Sequence, residues 1–201
     1  NLVSGLGREA LQLQAKIFEQ LVLGQLHETI GPVDQEDPVD HYIQVLRDKT
    51  GSLIALAAQL GAMLSGADSS FQKPLEEFGQ SIGVAFQLID DIIDIESTKS
   101  QSGKISGTDL LAGVPTLPVL LLAKHDDTES VKLLADITSG LDAASLPEVL
   151  ERLRSHPVME ESKLETRRWA EAAIAAIAPL PKGKVRTALE AFALAVVERK
   201  G

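Results

Sequence analysis

Three aspartates near the end of one apolar stretch are the side chains of this 201-residue sequence best suited to chemistry. The stretch reads Gly83-Val-Ala-Phe-Gln-Leu-Ile-Asp-Asp-Ile-Ile-Asp-Ile95, so Asp90, Asp91 and Asp94 follow one another at helical spacing. At about 100° per residue, the three carboxylates share one arc with Gln87, and the rest of the circumference is apolar. We therefore expect a helix that is buried on nearly every side and whose acids face a cavity.

Acids packed this closely repel one another, and partial desolvation strengthens the repulsion until a proton or a cation relieves it. Oxygen donors without His or Cys favour Mg²⁺ or Ca²⁺, and Mg²⁺ fits better because one or two carboxylates usually hold it together with phosphates and waters. An ordinary solvated acidic stripe is the alternative. The macrodipole opposes acids at a helix C-terminus by about 0.3–1 kcal/mol each, and a surface helix needs no apolar surroundings. The sequence therefore favours a Mg²⁺ site.

Two lysines lie in segments that could serve such a site. Lys104 follows a glycine in the polar loop after the aspartates, where it could neutralise the acids or hold a phosphate group that the metal also binds. Lys49 and Thr50 precede Gly51 and Ser52 in the middle of a predicted helix; these small residues would let another helix or a substrate come close. For both lysines, spacing alone leaves an ordinary solvated side chain as the alternative.

Helical periodicity dominates the elements that must position these residues. Apolar residues recur at helical spacing, and no segment alternates convincingly with a period of two, so the sequence predicts an all-α fold in a single domain, residues 1–201. The predicted helices cover residues 6–30, 38–65, 71–95, 116–125, 128–137, 146–154, 159–178 and 184–200, with a polar loop at 96–113.

Composition excludes several other classes of protein. The formal net charge is −10 and no basic face is evident, which argues against a nucleic-acid partner. The absence of cysteine excludes disulfides and thiolate metal sites. Neither a transmembrane run of about 18 apolar residues nor a signal peptide is evident. These features are compatible with a cytoplasmic location.

Four elements together resemble the trans-isoprenyl diphosphate synthases, especially the bacterial polyprenyl diphosphate synthases. Phe86-Gln-Leu-Ile-Asp-Asp-Ile-Ile-Asp94 resembles that family's second aspartate-rich motif, and Ser102-Gly-Lys104 with Gly107-Thr-Asp109 resembles the stretch that follows it. Gly113-Val-Pro-Thr-Leu-Pro118 is similar to the family's Gly-Lys-x-Thr-Leu-Pro, although valine stands in place of the lysine. Asp48-Lys-Thr50 is similar to its Lys-Thr element.

The resemblance implies antiparallel helices packed around a deep central cavity, where two aspartate-rich motifs bind three Mg²⁺ and an allylic diphosphate. It casts Asp90 as a direct metal ligand, with Asp91 and Asp94 supporting metal-bound waters. The other roles it implies are diphosphate contacts for Lys49, Gln87 and Lys104, and proton acceptance or cation stabilisation for Thr50. The implied reaction is ionisation of the allylic ester, attack by the alkene of isopentenyl diphosphate and loss of a proton. The implied assembly is a homodimer.

The family's first aspartate-rich motif is absent from these residues. The chain begins at Asn1 rather than Met, and residues 1–28 already resemble the interior of a helical array. We therefore expect the C-terminal part of a synthase, whose N-terminal helices and isopentenyl site precede it and which has little activity alone. A non-catalytic subunit that partners a complete synthase is the alternative. A class I terpene cyclase fits less well, because its second metal motif usually differs from Asp-Asp-x-x-Asp.

Overall fold

A computed structural model describes residues 3–97 and 106–199, and no described residue lies in a β-strand, which confirms the predicted all-α fold. The helices are α1 (Arg8–Ile30), α2 (Pro38–Leu46), α3 (Ser52–Ser65), α4 (Gln72–Glu96), α5 (Thr108–Leu111), α6 (Leu117–Leu122), α7 (Thr128–Thr138), α8 (Leu146–Ser155), α9 (Val158–Ala176) and α10 (Lys184–Val197). Single 3₁₀ turns occur at Val3–Leu6 and Ser69–Phe71. Among the described helices, none has the length and apolarity needed to cross a membrane.

Local sequence signals explain several of the helix ends. The Asp37 carboxylate accepts hydrogen bonds from the amides of Val39 and Asp40 at 2.8 and 3.3 Å, so it caps α2, whose first residue is proline. Gly66 ends α3 in the left-handed conformation, with φ of 74°. These boundaries lie where proline and glycine predict them.

The predicted helix over residues 38–65 is divided in the structure. A π turn, Arg47–Gly51, separates α2 from α3. A π turn accommodates one extra residue in a helix and is frequent at functional sites. The Lys49-Thr50 pair therefore lies in irregular helix, at the place where the sequence has residues of poor helix propensity.

The described residues form two compact units. The first contains residues 3–87 and 167–198, and the second contains residues 88–166 together with Arg199. The boundaries fall within α4 and α9. A single domain over residues 1–201 stays a prediction.

In the first unit, α4 approaches α3 so closely that two glycines are required. A Cβ atom on Gly79 would lie 2.3 Å from the Cα of Ala55, and one on Gly83 would lie 2.4 Å from the Cα of Gly51. Side chains that are at most 1% exposed fill the core around this contact: Ala10, Ile17, Ala55, Phe78, Ile82 and Ala193. The backbone of the π turn is thus fixed against α4.

The second unit has its own core, which includes the C-terminal end of α4. Its most deeply buried side chains are Leu88, Ile92, Ile95, Leu117, Leu122, Leu133, Leu153 and Met159, each at most 1% exposed. Helices α6, α7 and α8 pack against one another in chain order. The end of α4 that carries the aspartates is therefore held by apolar packing.

The glycine contact generates the first prediction. Gly79→Ala should lower the free energy of unfolding by about 2–3 kcal/mol, because the added methyl group has no space beside the backbone of α3. Gly61→Ala is the matched control: a Cβ there meets nothing within 4 Å. That change should raise stability by about 0.5–1 kcal/mol, since alanine restricts the unfolded chain. Urea denaturation measures both, and equal effects of the two variants would contradict the close contact.

Candidate functional site

The aspartates lie on α4 as the sequence predicts, on a helix that is buried nearly all round. Asp91 is 6% exposed, whereas Asp90, Asp94 and Gln87 are half-buried. The apolar residues on the rest of this helix end are mostly buried, and Leu88 and Ile92 are at most 1% exposed. The carboxylates thus lie where desolvation and mutual repulsion both act on them.

Asp94 has a structural role within the second unit. Its carboxylate oxygens accept hydrogen bonds from the backbone amides of Thr108 and Asp109, at 3.3 and 3.2 Å. The Asp94 carbonyl also accepts from the amide of Gly107, at 2.9 Å. These amides open the short helix α5 and have no partner within it. Asp94 therefore caps α5, and both of its carboxylate oxygens accept hydrogen bonds from backbone amides.

A second carboxylate approaches Asp94 as a result of this capping. Burial raises the pKa of Asp109 above its ordinary value, and the charge of Asp94 raises it further. Two acids from segments fifteen residues apart thus share one small region. Beyond the Gly-Thr-Asp order, no local pattern predicts this encounter, because the two acids lie on different helices, α4 and α5.

Asp90 is paired with a residue near the other end of the described chain. Its Oδ1 lies 2.9 Å from a guanidinium nitrogen of Arg199, and both side chains are partly exposed. Both residues belong to the second unit. No spacing rule predicts a contact between positions so far apart, and the sequence analysis missed Arg199.

Two further cations stabilise the C-terminal end of α4. The Arg154 guanidinium donates hydrogen bonds to the carbonyls of Ile95 and Ser97 at 2.7 and 2.9 Å, and Lys163 pairs with Glu96 at 2.7 Å. Hydrogen bonds to Glu160 and Glu96 raise the pKa of Lys163. Cations at a helix C-terminus compensate both the macrodipole and the terminal carbonyls. The acids on α4 are thus accompanied by nearby positive charge.

Lys49 and Thr50 lie side by side in the π turn of the first unit. The Lys49 ammonium forms an ion pair with Glu28 of α1, which also accepts a hydrogen bond from Gln25 at 2.9 Å. Helix α1 comes close here, since a Cβ on Gly24 would lie 2.7 Å from the Cβ of Asp48. Lys49 therefore has a carboxylate partner within the unit. The predicted Lys104 lies outside the described residues.

Arg47 opens the π turn and is a candidate that the sequence analysis missed. Its guanidinium donates to Gln80 Oε1 at 3.0 Å and lies 5.9 Å from the centre of the Trp169 ring, a cation–π geometry. All three residues belong to the first unit. Gln80 shares the polar arc of α4 with Gln87, so helical spacing gave part of this signal and tertiary packing supplied the rest.

The donors on α4 fit a hard divalent cation in one particular way. In residues 3–97 and 106–199, no three His, Cys, Asp or Glu side chains are arranged to hold one metal ion together. Asp94 already accepts two amides, which leaves Asp90 and Asp91 as carboxylate donors on this helix. Mg²⁺ is commonly held by one or two carboxylates, with waters and substrate phosphates completing the shell. Such an ion fits these residues together with a phosphorylated ligand.

The chain is similar to known proteins of one family. The sequence model of the polyprenyl synthetase family matches residues 2–153. Nonaprenyl diphosphate synthase of Mycobacterium tuberculosis is 40% identical over 201 residues, which are 100% of this chain and 60% of that protein. Heptaprenyl diphosphate synthase component 2 of Bacillus subtilis is 32% identical over 192 residues, 96% of this chain and 55% of that protein.

A crystal structure supports the same relationship. Geranylgeranyl pyrophosphate synthase from Corynebacterium glutamicum, complexed with calcium and isoprenyl diphosphate, matches with a TM-score of 0.89 and 39% identity, over 100% of this chain and 62% of that one. This likeness confirms the predicted fold class. The chain spans between 55% and 62% of the length of these three proteins.

The capping role of Asp94 generates the second prediction. Asp94→Ala should lower the free energy of unfolding without metal by about 1 kcal/mol, because two amides of α5 lose their acceptor. Asp94→Asn keeps one acceptor oxygen and should cost less. Asp126→Ala, an exposed carboxylate in the turn before α7, is the control and should change stability by less than about 0.5 kcal/mol. Urea denaturation in a chelator measures all three, and an unchanged Asp94→Ala variant would refute the cap.

Proposed function

The chain belongs to the polyprenyl synthetase family, and we propose that it carries one metal-binding half of the active site of a trans-prenyltransferase. The enzyme would condense isopentenyl diphosphate with an allylic diphosphate to make a prenyl or polyprenyl diphosphate. The observation that carries the proposal is the pair Asp90 and Asp91, at the end of a helix whose other faces are buried. We further propose Mg²⁺ as the cofactor and the cytoplasm as the location.

The proposed division of roles among the aspartates is the one that the family resemblance implies. Asp90 would hold Mg²⁺ directly, while Asp91 and Asp94 would orient its waters. Bound Mg²⁺ would supply positive charge that stabilises the departing diphosphate. Asp94 would keep its amide contacts in this role, since a carboxylate oxygen has a second lone pair.

Four other residues are proposed to act on the diphosphate or the allylic cation. Lys49 would exchange its Glu28 partner for a phosphate oxygen, an exchange that an exposed ion pair permits because such pairs are worth at most about 1 kcal/mol. Thr50, at the π turn, would offer its carbonyl and hydroxyl oxygens to the cation or to the proton that leaves. Gln87 and Lys104 would donate to the diphosphate, a role that rests on the resemblance alone for Lys104.

Ligand-dependent stability tests the metal site. With Mg²⁺ and an allylic diphosphate or a bisphosphonate at about 100 times the dissociation constant, the chain should gain about 2.7 kcal/mol. For a domain of this size the gain corresponds to a rise in Tm of roughly 5–10 °C. Asp90→Asn and Asp91→Asn should each remove most of the rise, and a chelator should abolish it.

Asp126→Asn is the matched control for that experiment, because it removes an exposed acid of the same type away from α4. It should keep the full ligand-dependent rise in Tm. The same rise in the Asp90 and Asp91 variants as in the unsubstituted chain would refute the assignment of these carboxylates.

A second candidate is a non-catalytic subunit of a two-component synthase. The Bacillus subtilis relative is named as component 2 of heptaprenyl diphosphate synthase, which supports a partner chain but does not bear on whether this chain is catalytic. The experiment above separates the two, because a non-catalytic subunit needs no ligand stabilisation through Asp90. Co-purification of a second synthase chain together with failure of the Asp90-dependent shift would favour the subunit.

We also propose that the chain assembles as a homodimer through α1. Four apolar side chains recur on one face of this helix and are 48–67% exposed: Leu11, Phe18, Val22 and Leu26. Ile17 on the same helix is buried within the unit, so it belongs to the core rather than to this face. A continuous apolar stripe of this kind normally recruits a partner, and isologous pairing is the commonest solution.

Light scattering over a dilution series tests the dimer. The chain should show twice its monomer mass, and Phe18→Glu should shift it toward the monomer, because a charge at the centre of the stripe opposes burial. Val185→Glu is the control, since Val185 is equally exposed, at 71%, but lies on α10. A monomer mass for the unsubstituted chain at every concentration would refute the dimer.

A further inference from the structure

Arg199 places a permanent positive charge beside Asp90, the carboxylate that is proposed above to bind the metal. The two side chains meet at 2.9 Å, and they are 36% and 44% exposed respectively. Arginine keeps its charge throughout the accessible pH range, so the pair exists wherever Asp90 is ionised. We propose that Arg199 is a resident counter-cation of Asp90, which a divalent metal ion must displace before it binds this carboxylate.

Electrostatics make the two cations exclusive. A guanidinium has no lone pair with which to coordinate a metal, so Arg199 cannot join the coordination shell. A divalent ion on the Asp90 carboxylate would lie only a few ångströms from the guanidinium, and the two positive charges would repel each other. The metal and Arg199 therefore compete as positive charges for the Asp90 carboxylate, and metal binding releases the side chain.

When no metal is bound, the pair reduces the negative charge at the end of α4. Three carboxylates lie within five residues at the end of α4, and Asp91 is 6% exposed, so their repulsion is poorly screened. Arg199 offsets the charge of Asp90, which is more exposed than Asp91. Exposed ion pairs change an equilibrium constant by no more than about fivefold, so the pair is weak enough for a divalent ion to replace it.

Titration of Mn²⁺ as a paramagnetic stand-in for Mg²⁺ tests this inference, which rests on the proposed function. Free Mn²⁺ is measured by electron paramagnetic resonance with the full chain, so no turnover is needed. Arg199→Ala should bind Mn²⁺ about two- to fivefold more tightly, because the competing cation is gone. Arg199→Lys should fall between, since the ammonium keeps the charge but loses the planar geometry.

Two controls separate competition at Asp90 from a general change in charge. Lys132→Ala removes the same charge from an exposed position on α7 and should leave the affinity within the error of the titration. In an Asp90→Asn background, adding Arg199→Ala should have no effect, because the shared carboxylate is already neutral. A thermal melt of each variant shows whether the chain stays folded, as expected for substitutions at partly exposed positions.

The outcomes distinguish this inference from the proposed function. Mn²⁺ binding that depends on Asp90 and tightens in Arg199→Ala supports both. Binding that depends on Asp90 but stays the same or weakens in Arg199→Ala overturns the counter-cation and leaves the metal site standing. An equal gain in Lys132→Ala also overturns the specific competition. Absence of Asp90-dependent binding overturns the proposed function, and the inference with it.

Discussion

The arrangement around α4 depends on holding three carboxylates near the C-terminal end of a buried helix. Three effects oppose this arrangement: the negative end of the macrodipole, the repulsion among the acids and the loss of water around them. Donor groups of the second unit lie close to this end of the helix and offset part of the negative charge. Arg154 donates to the terminal carbonyls, Lys163 pairs with Glu96, and two amides of α5 bind Asp94. These polar contacts thus compensate the negative charge at the C-terminal end of α4.

The first unit meets a different constraint, which is the approach of backbone to backbone. Gly79 and Gly83 let α4 lie against α3 and the π turn with no side chain between them. Close contact over about one turn of α4 fixes the backbone of Lys49 and Thr50 while leaving their side chains exposed in part. A functional group on such a rigid element keeps its direction when its partner changes, which suits the proposed exchange of a carboxylate for a phosphate.

The sequence predicted the helices well, because the period of 3.6 residues depends on near neighbours and proline and glycine mark the ends. It also predicted that the C-terminal half of α4 is largely buried and that Gln87 and the aspartates share one arc of it, since both follow from spacing along one helix. The π turn was not predicted, although the run Thr50-Gly51-Ser52 pointed to a weak place in the helix. Its geometry depends on how tightly α4 packs there, which is a property of the fold.

By itself, the sequence determined which residues share the polar face of α4 and which family the motifs resemble, because both depend only on the order of neighbouring residues. Only the tertiary structure decided which charge each acid meets. Arg199 reaches Asp90 across more than one hundred residues, and Asp109 of α5 lies close enough to Asp94 of α4 for the charge of Asp94 to raise its pKa. Such contacts depend on where distant segments lie after the apolar cores have formed. An ion pair between partly exposed side chains also contributes too little energy to leave a pattern in the local sequence.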